Sequence, residues 1–398
     1  MKKQKLNNMN QLLLSFILIM TLSSCKKSEN GDSTNTGETK KFYKPSEFVM
    51  GADLSYVNQI LDHGGVYKDS GNIADPYQIF QKYGANVIRF RLFYNPAWTE
   101  TVYGTSGTQM YNDYEDVKKG ISKSKAAGMQ VCLDFHYSDT WADPSNQKKP
   151  ASWDTLTRIF VLRDSVYNYT SRILGNLGNN GLMPEYVQIG NEINPGLLLP
   201  QGNRWNGNEA NMILLLNSGI KAVRDAGASN SIKPKIIIHI AQPENVVAWF
   251  NGMVAKGLID YDIIGISYYY IWSTVNLTDV HTYISLVKTT YNKDVMIMET
   301  AYPWTTQDAD NYANTISISY LASGYPATID GQYNYLLALT QEIITGGGKG
   351  IFYWEPAWIT SNLKDLWGTG SSWDCNTFFD FQGEVIKGMY FMTHQYKF

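Results

Sequence analysis

Two glutamates far apart in the chain, Glu192 in "EYVQIGNEINPG" and Glu299 in "VMIMETAYPW", each close an apolar run that reads as a buried strand. A strand of purely structural purpose ends in turn residues. Here one ends in an acid flanked by the amides Asn191 and Asn194. Two carboxylates that converge on one sugar can break a glycosidic bond. One protonates the departing oxygen while the other attacks the anomeric carbon. Glu192 is the expected acid/base, holding its proton near neutral pH through burial or its partner's charge. Glu299 is the expected nucleophile and must stay ionised.

Other polar residues collect at the same ends of the apolar runs. Asp53 and Ser55 close "FVMGADLS", and Asp134 and His136 close "QVCLDFHY". His239 ends "KIIIHIA", Tyr268 and Tyr270 end "IIGISYYY", and Trp354 and Glu355 end "GIFYWEPAW". In "NVIRFRLF", Arg89 and Arg91 share parity, so both can face one interior, where at least one should pair with a carboxylate. Asp53, Arg89, Asp134, His136, Asn191, His239 and Tyr268 are therefore the expected substrate-binding set. Trp141, Trp304 and Trp354, with Trp358, follow strand ends and can stack on pyranose faces. Glu355 is a lesser rival catalyst, because no amide accompanies it.

These residues need a frame that gathers strand ends. Short β-branched and aromatic runs alternate with helical segments that close on glycine, such as "YEDVKKGISKSKAAG" and "ANMILLLNSGIKAVRDAG". That alternation predicts a parallel sheet buried on both faces. Eight strand-helix units predict an α/β fold, a (β/α)₈ TIM barrel whose reactive groups sit at the C-terminal strand ends. A doubly wound open sheet is the alternative; it would favour a glycine-rich phosphate turn, and "GADLSYVNQ" is not one. The 398 residues, 44% hydrophobic and 17% charged, suffice for a large core. A net charge of −3 leaves no basic footprint for nucleic acid. Cys132, inside an apolar run, reads as inert packing. A monomer is the default expectation.

The N-terminus reads as a targeting segment. Lys2, Lys3 and Lys5 precede an apolar stretch from Leu12 to Leu22, too short to span a bilayer, and then "LSSC". The expected organisation is a cleaved lipoprotein signal over 1–24, lipid attachment at Cys25, a flexible polar tether over 25–44 and one catalytic domain over 45–398. That implies an extracytoplasmic protein, anchored to the bacterial outer membrane through Cys25. Cleavage removes three lysines and makes the mature chain more acidic.

The blocks "GADLS", "NVIRFRLFYNP", "DFHYSDTWADPSNQKKP", "VQIGNEINPG", "METAYPW" and "YWEPAW" resemble glycoside hydrolase family 53. The match runs from about Met50 to Gln382, and "DFHYSDTWADP" is its most specific part. The resemblance implies a retaining endo-hydrolase with Glu192 as acid/base and Glu299 as nucleophile, and no organic cofactor. Its implied substrate is a polysaccharide, the β-1,4-linked galactan of type I arabinogalactan. The same barrel acting on mannan or xylan is one alternative; a noncatalytic surface glycan-binding protein is another. The family further implies Ca²⁺, with ligands in "TTQDADNYANT" and a Ser-x-x-Asp downstream. Here those positions are Asp308, Asp310, Tyr312 through its backbone carbonyl, Asn314, Ser371 and Asp374. Tyr312 departs from the pattern, which has histidine there. Oxygen donors at alternate positions suit calcium.

Overall fold

The computed structural model describes residues 40–205, 207–316 and 321–398. The proposed signal, Cys25 and most of the tether lie outside the described residues. Eight parallel strands close into a barrel: β1 (Val49–Asp53), β2 (Val87–Leu92), β3 (Gln130–Phe135), β4 (Tyr186–Ile189), β5 (Lys235–Ala241), β6 (Ile263–Ser267), β7 (Asp294–Glu299) and β8 (Gly350–Tyr353). β1 pairs with both β2 and β8, so no edge is left open. The expected (β/α)₈ barrel is the fold.

Helices cover the outside, and local chemistry sets their ends. The Asp113 carboxylate accepts from Asp116 N and caps the helix Tyr114–Ala126, which the left-handed Gly128 helps to end. Thr328 caps Ile329–Thr345 through Gly331 N. Pro76 and Pro243 open their helices at the position where proline's missing donor is no loss.

Alternation along the strands divides the core in two. Val49, Val87, Cys132, Tyr186, Ile237, Ile263, Met296, Met298 and Phe352 fill the barrel's inside. Their neighbours, including Ile88, Val131, Val187, Ile236, Val295 and Ile297, pack outward against the helices. Cys132 and Cys375 are both free and buried. At Gly51 only a glycine fits the inner face: an added Cβ would lie 2.2 Å from the Phe352 ring.

Of the expected tether, residues 40–44 are described. Tyr43 is 4% exposed, stacks near Tyr396 and Phe398, and donates its hydroxyl to His394 O at 2.8 Å. Aromatic burial against the C-terminal segment, which sequence distance concealed, seats Tyr43 on the domain while Phe42 and Lys44 stay exposed.

Candidate active site

Inward parity carries each strand's polar terminus to the C-terminal mouth. Asp53, Arg89, Asp134, Gln188 and His239 continue the inward rows that begin with Val49, Val87, Cys132, Tyr186 and Ile237. Glu299 arrives differently. β6 and β7 pair Ile266 with Ile297 and then Ser267 with Glu299, so Met298 is an extra residue on β7. Without that bulge Glu299 would share the outward parity of Val295 and Ile297. With it, the carboxylate turns into the mouth.

Glu192 is set by a turn. β4 ends at Ile189, and then Gly190 and Glu192 take left-handed backbone angles, φ 77° and 46°. For a non-glycine residue such a conformation costs about 1–3 kcal/mol and persists only where surroundings fix it. Tyr137, Gln242 and Glu355, at φ 49°, 66° and 47°, bend the chain away just beyond β3, β5 and β8 in the same manner.

Arg89 binds the site together. Its Nη1 donates to Glu299 Oε1 at 2.8 Å and Asp53 Oδ2 at 3.1 Å. Its Nη2 donates to Asp134 Oδ2 at 2.7 Å and Asn191 Oδ1 at 2.8 Å. One planar cation thus spans three carboxylates and the residue preceding Glu192, which a point-charge ammonium could not do. Tyr269 donates its hydroxyl to the other Glu299 oxygen, Oε2, at 3.1 Å. Asn191 also donates from Nδ2 to Ala142 O at 2.8 Å. His136 Nε2 lies 3.0 Å from Asp134 Oδ2, and its Nδ1 accepts from Ala142 N at 2.8 Å. His239 Nδ1 is 2.9 Å from Asn191 Oδ1 and its Nε2 is 2.9 Å from Ser267 Oγ. Burial, then the Arg89 charge, hold His239 well below the usual imidazole range, so it is neutral.

The two glutamates differ in proton affinity. Burial, followed by the negative charge of Glu299, pushes the Glu192 carboxyl up to about 8, although a Ser267 hydrogen bond pulls it down. Burial also raises Glu299, but there the Arg89 cation opposes it directly. The Arg89 contact favours the negative charge on Glu299, and burial with the repulsion of that charge favours the proton on Glu192.

Several expected substrate contacts are corrected by burial. Asp53, Asp134, His239 and Tyr268 are each 0% exposed. The first three lie beneath the mouth, their polar atoms taken by Ser55, Arg89, Gln188, Asn191 and Ser267, and they position rather than touch a ligand. Arg89, also fully buried, acts in the same way. Tyr268 faces the helices and donates to Val275 O at 3.0 Å, while its neighbour Tyr269 reaches the carboxylate. Trp304 packs on Phe381 and donates to Asp374 O, away from the Arg89 network. Asn191 and His136 stay at the network's upper edge. Trp141 and Trp354 are half-buried beside it, 5.6 and 5.9 Å from the Arg91 guanidinium. Arg91 itself lies against the Tyr56 ring and donates to Glu355 Oε1 at 2.5 Å. Glu355, with no exposure, is an ion-pair partner and not a rival catalyst.

Sequence reasoning passed over Ser267, Tyr269 and Gln188. Parity could have found all three, since Ser267 and Tyr269 alternate with outward Tyr268, and Gln188 lies two residues beyond inward Tyr186.

Among the described residues no three His, Cys, Asp or Glu side chains are grouped to hold a metal. Two carboxylates and an amide do meet in the loop after β7. Asn314 Nδ2 donates to Asp308 Oδ1 and, at 2.7 Å, to Asp374 Oδ1, while its buried Oδ1 has no partner. The other expected ligands already have hydrogen-bond partners, Asp310 sharing the Thr360 hydroxyl with Asp374. Asp310 accepts from Tyr312 N, Thr360 Oγ1 and Ser371 N, and the Ser371 hydroxyl donates to Trp358 O. The Tyr312 phenol donates to Asp365, so its side chain is no ligand.

With this geometry in view, the comparisons with known proteins are direct. The family model described as Glycosyl hydrolase family 53 matches residues 49–392. An arabinogalactan endo-β-1,4-galactanase of Cellvibrio japonicus is 42% identical over 335 residues, 84% of this chain and 86% of that one. The solved catalytic domain of the same family from Ignisphaera aggregans superposes with a TM-score of 0.80 at 32% identity, covering 90% of this chain and 99% of that one. A structure from a study of two fungal β-1,4-galactanases gives a TM-score of 0.73 at 30% identity, over 86% and 98%.

Proposed function

The chain belongs to glycosyl hydrolase family 53, and from that premise we propose that Glu192 and Glu299 cleave β-1,4-galactosidic bonds within galactan by double displacement. Glu299 attacks the anomeric carbon as the glycosidic C–O bond breaks, and the departing oxygen takes the Glu192 proton. The deprotonated Glu192 then accepts a proton from water, whose oxygen attacks the same carbon and frees Glu299. The observation that carries this reading is the Arg89 guanidinium, which contacts Glu299 and Asn191 at once and leaves the proton on Glu192. Tyr269 orients the nucleophile, and Asn191, with one amide hydrogen left beyond Ala142 O, faces a sugar hydroxyl next to the reacting carbon. Trp141 and Trp354 supply apolar faces for neighbouring rings.

The loop set Asp308, Asn314 and Asp374 would hold a calcium ion, with Asn314 turned so that its unpaired Oδ1 joins the carboxylates. The ion would fasten the β7 and β8 loops and take no part in the chemistry. Anchorage of a monomer to the outer membrane through Cys25 completes the reading, supported by the sequence "LSSC". The test of the central claim is Glu299→Ala. Hydrolysis of linear galactan should vanish while galactan binding, measured calorimetrically, persists, and wild-type products should begin as mixed oligosaccharides. Unchanged turnover in the variant removes the assignment.

A further inference from the structure

Gln147 lies in the loop after β3, 3% exposed, and the steps above give it no role. Its Nε2 is placed to donate to three carbonyls: Asn191 O at 2.7 Å, Asp143 O at 3.1 Å and Glu192 O at 3.3 Å. Leu199 N in turn donates to Gln147 O at 2.8 Å, so the residue is held on both sides. The geometry explains the need. The β4 ladder stops at Ile189, and the left-handed Glu192 turns its carbonyl and that of Asn191 away from any strand partner. Glu192 O also accepts from Asn194 N at 2.8 Å and Asp143 O from Asn146 N at 3.0 Å, so the buried Asn191 carbonyl is the one for which the side-chain amide is the donor supplied.

The same clamp fixes a second group. Asp143, whose carbonyl Gln147 holds, keeps its carboxylate folded onto Ser145 N and Oγ at 2.6 Å, within electrostatic reach of Glu192. The charged and titratable groups around Glu192 are then Glu299 from β7, Arg89 from β2, Tyr269 beyond β6 and Asp143 from this loop.

We propose that Gln147 is a positioning residue for proton donation: its amide ties the loop after β3 to the Asn191–Glu192 turn, aiming the acid and holding the Asp143 charge beside it. The proposal rests on Glu192 being the acid/base. It explains why the block "DFHYSDTWADPSNQKKP" is built around a glutamine that meets no substrate.

Leaving-group dependence tests it. Gln147→Met keeps the stem and removes both donors. On galactan oligosaccharides, whose departing sugar needs the proton, kcat/KM should fall about 10- to 100-fold, a part of the roughly 10²- to 10⁴-fold that positioned proton transfer supplies. On a dinitrophenyl β-galactobioside, whose leaving group departs unprotonated, kcat/KM should stay within about threefold. Equal losses on both substrates would show a merely structural residue and overturn the proposal, as would no loss on either. Asp143→Asn provides a second variant should Gln147→Met fail to fold. Removing a like charge should move the alkaline limb of kcat/KM to lower pH, and an unmoved limb overturns the proposal. Wild-type protein inactive on both substrates would instead refute the glycosidase reading beneath it.

Discussion

Replacing Arg89 by lysine keeps the buried charge and removes the fork. The guanidinium makes four contacts of 2.7–3.1 Å from two nitrogens that face different strands. An ammonium has one nitrogen and three hydrogens on a stem of different reach, so at least one contact, and by geometry about two, must go. Each hydrogen bond to a charged group contributes about 1.5–3 kcal/mol net, giving about 3–6 kcal/mol for two. If that loss falls on the transition state, kcat/KM drops by about 10²- to 10⁴-fold at about 1.4 kcal/mol per decade. A second signature separates this from general damage. Burial already raises Glu299, and Arg89 is the main force opposing it. Weakening that contact raises Glu299 further, and since the nucleophile proposed for this position acts as an anion, the acid limb of kcat/KM must move to higher pH. The assay is reducing-sugar release from linear galactan across pH, beside a urea titration to confirm folding. A lysine variant within about threefold of wild type, its acid limb in place, would refute the view that the fork holds the nucleophile ionised.

With Glu192 pushed up to about 8, wild-type kcat/KM should fall as pH rises through that value. A carboxyl whose folded pKa is raised lends stability below its ordinary value of about 4.3 and loses it as pH climbs through the folded one. The urea midpoint of wild type should therefore decline relative to Glu192→Gln between those limits, and parallel curves would contradict the raised value. If Asp308, Asn314 and Asp374 hold calcium, added calcium should raise the melting temperature, stabilising by about 2.7 kcal/mol at a hundredfold excess over Kd. Asp308→Asn should abolish the effect, and identical melting in chelator and calcium would remove the site.

Much of the site was readable because strands and helices write their periods into local sequence. Alternation marked the inward rows, so Asp53, Arg89, Asp134 and His239 were found from one run each. Their depth was not. Whether a strand-end group meets ligand or lies beneath it depends on the neighbouring strands, and only the Arg89 network shows that Asp53, Asp134 and His239 support from below. The aromatic set divided for the same reason: Trp141 and Trp354 flank the mouth, while Trp304 belongs to the C-terminal segment. Of the calcium ligands expected from alternate spacing, Asp310 and Ser371 meet partners 13, 50 and 61 residues away that no local pattern reveals.

By itself the sequence determined the alternating strand and helix segments and the two glutamates that close their runs, because each of these follows from periodicity within a single segment; closure of the barrel rests on the pairing of β1 with β8. Tertiary structure alone decided which face Glu299 presents, since the extra residue at Met298 exists only in the pairing of β7 with β6. It supplies the physical cause behind the roles expected of the two glutamates, because burial and the Arg89 contact join residues from separate strands and loops. Pairing register and electric field are properties of neighbours, and a chain acquires neighbours only by folding.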